Sequence, residues 1–170
     1  MDSQCSKVIF LDIDGVLTNT AIDCTSFLSL DPSKYKLSKH NLKLLDKVLE
    51  STSAKIVIAS NWRKFSDLYP VWHVDGKDFY STLVPFKKMY AKHIIGMLPP
   101  KRHMTKCACL DLWFESNAWL PKQHGKYVIF EDDKSEMYQD NAVYRKHLVL
   151  TDYRYGLAMQ DVSKAIALLS

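Results

Sequence analysis

Three short stretches of this chain carry residues able to do acid, base and phosphate chemistry, and each follows an apolar run. Asp12-Ile13-Asp14-Gly15-Val16-Leu17-Thr18 follows Val8-Ile9-Phe10-Leu11. Ser60-Asn61 follows Ile56-Val57-Ile58-Ala59, and Glu131-Asp132-Asp133 follows Tyr127-Val128-Ile129-Phe130. Two carboxylates as close in sequence as Asp12 and Asp14 repel each other unless a cation neutralises them. With Asp132 or Asp133 beside them they make a set of hard oxygen ligands, and Asp12, Asp14, Asp132 and Asp133 are the candidate ligands of Mg2+. One such carboxylate can attack a phosphoryl group, and the other can serve as general acid and base. Gly15 permits a sharp turn that brings backbone N–H groups near a phosphate, and the Ser60 hydroxyl can donate to a phosphate oxygen. Asn61 and Arg63 extend this candidate phosphate-binding set, although Arg63 reads equally well as a surface ion-pair partner. A cationic side chain is still needed to hold the phosphate and offset the acids.

The elements that would position these groups alternate. Val8–Leu11, Ile56–Ala59 and Tyr127–Phe130 are continuous apolar runs, the pattern of strands buried on both faces. His93–Gly96 and His147–Leu150 are two further strand candidates. Ser38 can cap a helix that places Leu42, Leu45, Val48 and Leu49 on one face. Phe65, Leu68, Tyr69 and Trp72 fall at helical spacing, with Pro70 ending or bending that helix. Leu110, Trp113, Phe114 and Asn117 predict a helix that stops before Pro121, and Val162, Ala165, Ile166 and Leu169 a final one. Asp75-Gly76 is a turn signal within a segment, 73–92, that follows no single period. Strands alternating with helices imply parallel pairing through right-handed crossovers. The expected fold is therefore a three-layer α/β/α, Rossmann-like sandwich with a mostly parallel central sheet. In such a sheet ligands bind outside the carboxyl ends of the strands, where all three polar stretches fall.

Composition bounds the function. The 170 residues form one domain, 1–170, with 47% hydrophobic and 25% charged residues, which excludes disordered and fibrous classes. Lys and Arg exceed Asp and Glu by 23 − 19, a mild net charge of +4 that permits a polyanionic partner without demanding one. Cys5, Cys24, Cys107 and Cys109 form no CxxC pair, so thiols in a reducing cytoplasm are expected. The apolar stretch near the N-terminus is broken by Asp12 and Asp14, so no signal peptide is read there, and no run of 18 apolar residues marks a membrane span. His40, His73, His93, His103, His124 and His147 form no HxH or HxxxH pair, which argues against a zinc enzyme. A P-loop and a GxGxxG fingerprint are both missing. Trp62 and the pair Phe79-Tyr80 are read as packing residues rather than substrate platforms.

The segment from Phe10 to Thr18 resembles the first motif of the haloacid-dehalogenase-like hydrolases, a strand followed by DxDGxxT. Ile56 to Arg63 is similar to their second motif, in the variant that continues into Trp-Arg, and Tyr127 to Asp133 to their fourth, a strand followed by paired acids. The order agrees over almost the whole chain, and the end, from His147 through Gly156-Leu157, resembles small phosphatase-like members attached to nucleic-acid repair proteins. The resemblance implies that Asp12 is the nucleophile that becomes an aspartyl-phosphate, and that Asp14 protonates the leaving group and then activates water. It implies that Asp12, Asp14 and Asp132 or Asp133 hold Mg2+ and that Ser60 binds the phosphate. The second acid of the first motif favours phosphoester over carbon–halogen cleavage. The third motif would be a lone basic residue; Lys106 sits best, with Lys101 and Arg102 as rivals. The register of Glu131-Asp132-Asp133 stays open by one residue, with Asp132 preferred as ligand and Asp133 supporting it.

The implied activity is Mg2+-dependent phosphomonoester hydrolysis. The competing reading is a catalytically idle domain that binds phosphate groups or a protein partner, and a third is transfer of the phosphate to an acceptor other than water. Family members often carry a cap domain after the first motif or between the second and third. Here 20–37 and 73–92 are too short for one, and the latter suits a flap or an extra helix. An uncapped site is open to a large phosphorylated substrate, and the mild positive charge fits a nucleic-acid end.

Overall fold

The computed structural model describes residues 7–19, 37–60, 71–74, 77–80, 83–99, 104–137 and 142–170. Lys7–Leu11 forms β1, Lys39–Thr52 α1 and Lys55–Ile58 β2. Val71–Val74 (β3) and Lys77–Tyr80 (β4) pair antiparallel, and Leu83–Met89 is the short α2. Then come β5 (Ile94–Met97), α3 (Lys106–Ser116), β6 (Lys126–Glu131), α4 (Ala142–His147), β7 (Leu148–Leu150) and α5 (Met159–Leu169). The main sheet has the order β5-β2-β1-β6-β7 and every pairing in it is parallel.

Side chains of a strand alternate between faces, and here they divide the core in two. Ile9, Leu11, Ile56, Ile58, Val128 and Phe130 pack with residues of α1, α2 and α5. Val8, Phe10, Val57, Tyr127 and Ile129 pack with α3 and with Tyr144 of α4. Helices therefore cover both faces, and the three layers expected from the alternating pattern are present. That double covering is why the strands read as unbroken apolar runs.

Local signals account for the helix starts. Ser38 caps α1, its Oγ accepting the Asn41 N–H at 3.3 Å, and Leu44, Leu45, Val48 and Leu49 point into the core. Thr105 caps α3 in the same way, accepting the Ala108 N–H at 3.2 Å. At the start of α5 the Asp161 carboxylate accepts the Ala158 N–H at 2.9 Å. The helix α3 is pinned by an aromatic cluster: Phe10 of β1 meets Trp113 edge-on, with ring centroids 4.9 Å apart, and Phe114 at 5.5 Å. Edge-to-face rings add directional attraction to the buried area. They fix the rotation of α3 and hence where its first residue, Lys106, points.

Several boundaries differ from expectation. Trp72 lies in β3, not in a helix; the other residues of that proposed helix, Phe65, Leu68 and Tyr69, and Pro70 with them, lie outside the described residues. A four-residue spacing is ambiguous between helix and strand when only one further apolar residue follows it. The segment 73–92 supplies the hairpin strand β4 and α2, while Asp75-Gly76 lies outside the described residues. The strand expected at His93 begins at Ile94, because His93 closes a turn with its N–H on Tyr90 O at 2.8 Å. His147 ends α4 rather than opening β7; its ring stacks on Tyr127 at 3.8 Å and is depressed in pKa, chiefly by burial. Cys107 and Cys109 are buried. No helix among the described residues is long and apolar enough to cross a membrane.

Candidate active site

The strand order reverses beside β1. Chain order runs outward from β1 through β2 to β5, then returns to the other side with β6 and β7. The crevice at such a switch point opens at the carboxyl ends of the two strands that flank it, here β1 and β6. Leu11 pairs with Phe130, so the next residues, Asp12 just past β1 and Glu131 at the last position of β6, lie side by side. The Asp12 N–H still bonds Phe130 O at 3.2 Å, and the residue is only 8% exposed. Parity decides where each acid points. Asp12 continues the series Val8, Phe10, and Glu131 the series Tyr127, Ile129; both series face α3.

On that face waits Lys106, 2% exposed at the first position of α3. Its ammonium pairs directly with a Glu131 carboxylate oxygen and lies 3.7 Å from Asp12 Oδ2. A cation at a helix N-terminus is opposed by the helix dipole, and burial adds a desolvation cost, so the acids must hold it there. Burial pulls the Lys106 pKa down, but Asp12 and Glu131 outweigh it and the net shift is upward. Glu131, 1% exposed, is pushed up by burial and by the nearby Asp12 charge, with Lys106 pulling against both. Its Oε1 also accepts the N–H groups of Asp132 and Asp133, each at 3.1 Å. Glu131 therefore orients the cation with one oxygen and shapes the acidic loop with the other.

Asp132 points the opposite way, onto the turn that follows Asp12. There Gly15 adopts φ +61°, and a Cβ at that residue would lie 2.1 Å from Asp132 Oδ2. A glycine is required both by the left-handed backbone and by the acid lying against it. The Gly15 N–H bonds Thr18 Oγ1 at 3.1 Å and the Gly15 carbonyl accepts from Thr151 Oγ1 at 2.7 Å. Burial raises the pKa of Asp132, and Asp12 adds to the rise while the Glu131 bond lowers it. Asp12, Glu131 and Asp132 each offer an oxygen within 4.8 Å of one another. Among the described residues three carboxylates face the Lys106 ammonium, and this group of hard donors is able to hold a metal ion. Gly15→Ala is expected to cost about 1–3 kcal/mol of folding stability through backbone strain and displacement of Asp132. Urea unfolding measures this, and a variant as stable as the parent would contradict the close approach.

The structure distributes the remaining sequence candidates unevenly. Asp14 lies half-buried on the turn that contains Gly15, and Ser60 is fully buried just past β2. Asp133 is exposed, and its Oδ1 accepts the Ser135 N–H at 2.7 Å. Asn61, Arg63, Lys101 and Arg102 lie outside the described residues, as does Trp62. Glu131 is the residue that motif reading passed over. The signal for it was the period-two alternation of β6, which puts Glu131 on the α3 face with Asp12.

A model of the family described as the HAD domain in Swiss Army Knife RNA repair proteins matches residues 8–162. The chain belongs to this HAD family. Neither a curated protein nor a solved structure matches it. The match spans the HAD domain from β1 into α5 and so takes in the whole five-stranded sheet and the group formed by Asp12, Lys106, Glu131 and Asp132. Membership makes the HAD domain a hydrolase of that superfamily, with an acidic cluster able to hold a metal.

Proposed function

We propose that this HAD domain is a Mg2+-dependent phosphomonoesterase that acts through a phosphorylated Asp12. The supporting observation is the placement of Asp12 at the sheet's switch point, between the Lys106 ammonium and the acids Glu131 and Asp132. The Asp12 carboxylate attacks phosphorus, and the bond from phosphorus to the ester oxygen breaks. Asp14 gives its proton to the departing alkoxide, leaving an acyl phosphate on Asp12. Asp14 then takes a proton from water as that water attacks phosphorus, which releases inorganic phosphate and restores the Asp12 carboxylate. Lys106 offsets charge at the nucleophile, and Ser60, with Asn61 and Arg63, holds phosphate oxygens. The metal-binding set is Asp12, Asp132 and the main chain near Asp14, with Asp133 supporting. Bound Mg2+ supplies charge that offsets the acids and the phosphoryl oxygens.

The family's description as a component of RNA repair proteins, together with the net charge of +4, supports a terminal phosphate of a nucleic acid as substrate. Such a substrate makes activity fall steeply as salt rises, because phosphate contacts release counterions. The buried thiols Cys107 and Cys109 fit a reducing cytoplasm. The test is phosphate release by the purified chain from acetyl phosphate and from end-phosphorylated oligonucleotides. Release is expected with Mg2+ and not after chelation. Mg2+ at about 100 times its Kd is also expected to stabilise the fold by about 2.7 kcal/mol, an effect that Asp132→Ala reduces. Metal-independent release, or a Tm shift unchanged in both Asp132→Ala and Asp133→Ala, overturns the assignment.

A further inference from the structure

The turn that follows β7 carries exposed aromatic residues against the candidate site. Both of its ends are tied to the loop after Asp12: Thr151 Oγ1 bonds Gly15 O at 2.7 Å, and the Leu157 N–H bonds Val16 O at 3.0 Å. Between them the chain reverses tightly, with the N–H groups of Tyr155 and Gly156 both on Asp152 O, at 2.9 and 2.8 Å. Gly156 sits at φ +73°, and a Cβ there would lie 2.0 Å from Asn41 Nδ2, the atom that also bonds Tyr155 O at 3.2 Å. The turn is thus braced from α1 as well as from the loop it adjoins. Yet Tyr153 is 55% and Tyr155 59% exposed, beside an open groove of about 480 Å³ between the turn and the start of α5.

The charge on this turn is already used. Arg154 grips the Asp152 carboxylate through Nε at 2.9 Å and Nη2 at 2.6 Å, and its guanidinium lies 5.4 Å from the centre of the Tyr155 ring. A guanidinium engaged in this way offers a ligand its flat face rather than a fork for a phosphate. What the turn presents is two exposed phenol rings and a planar cation on a backbone braced from two sides. Flat, π-rich rings with polar edges stack on such surfaces. The turn's ends bond Gly15 and Val16, which sets it beside the loop that carries Asp12 and Asp14.

We infer that the Asp152–Gly156 turn is a stacking platform for a nucleobase of the single-stranded nucleic acid whose terminal phosphate enters the site. This inference rests on the phosphatase reading for the identity of the neighbouring site, but not for its own test. The probes are a fluorescent oligoribonucleotide with a terminal phosphate and the same strand with its last two nucleotides abasic. Both are titrated into the full chain carrying Asp12→Asn, which removes turnover. The intact strand is expected to bind about tenfold tighter, the scale of one base stacked on an aromatic side chain. Adding Tyr153→Ala and Tyr155→Ala brings that ratio to about one, whereas Tyr153→Phe with Tyr155→Phe preserves it. Equal binding of the two strands, or a ratio that survives the double alanine change, overturns the platform. So does loss of affinity only for a phosphopeptide with an aromatic neighbour, which assigns the turn to a protein substrate. Hydrolysis of acetyl phosphate by the unmodified chain is scored separately. Hydrolysis without base-dependent binding removes the platform alone, and base-dependent binding without hydrolysis removes the phosphatase reading alone.

Discussion

Asp12→Asn is expected to abolish phosphate release, by about 10³-fold or more, while the fold remains intact. An amide is isosteric with the carboxylate but does not attack phosphorus, so the covalent route closes rather than slows. Stability is expected to hold or rise slightly, because the change removes one of three acids within 4.8 Å of one another while Lys106 keeps its direct partner Glu131. Single-turnover phosphate release, paired with a thermal melt, makes the measurement. Acid quenching of the parent enzyme with a radiolabelled substrate should trap label on the protein, and the variant should trap none. Undiminished turnover of a small phosphate ester by Asp12→Asn would remove the nucleophile assignment, whatever the fate of the metal.

Lys106→Met is expected to produce the largest loss of stability, about 3–5 kcal/mol, the scale for breaking a buried ion pair by removing one partner. The side chain is 2% exposed, and Glu131, 1% exposed and already pushed up to about 8 chiefly by burial, would lose the cation that favours its charged form and have to take up a proton or carry an unpaired charge in the core. At about 2–4 °C per kcal/mol for a chain of this size, the Tm falls by roughly 6–20 °C. The cause is checkable by a second substitution. Lys106→Met combined with Glu131→Gln removes both charges, and its loss is expected to be much smaller than that of Lys106→Met alone. A loss below about 1 kcal/mol in the single variant, the level of an exposed ion pair, would mean that water reaches the pair. Equal losses in single and double variants would place the effect in packing of the lysine stem instead of its charge.

The amino-acid sequence by itself determined most of the architecture. The runs Val8–Leu11, Ile56–Ala59 and Tyr127–Phe130 are apolar without alternation, and only strands covered on both faces need that. Ser38 marks a helix start because its hydroxyl satisfies an N–H group that a helix leaves unpaired, whereas the Thr105 cap of α3 is seen only in the structure. The three polar stretches were legible as a group for the same reason: each follows a buried strand, and parallel strands all end on one side. Weak local signals fared worse. The spacing of Trp72 from Leu68 satisfies either period, and its place in β3 depends on pairing with β4.

Tertiary structure decided how the acids divide their work. Glu131, Asp132 and Asp133 are consecutive and chemically alike, so no property of the residues themselves ranks them. The register of Leu11 with Phe130 sets Glu131 beside Asp12, and the parity of β6 turns it toward α3. Past the strand end parity lapses; Asp132 lies against Gly15, and Asp133 is left exposed with the Ser135 N–H. In sequence Lys106 sits best for the basic residue, but Lys101 and Arg102 stay rivals because all three are cations in one short stretch. It meets Asp12 because Phe10 of β1 and Trp113 of α3, far apart in the chain, fix how α3 is turned. Such contacts between distant segments carry no local periodicity, and only the packed core makes them visible.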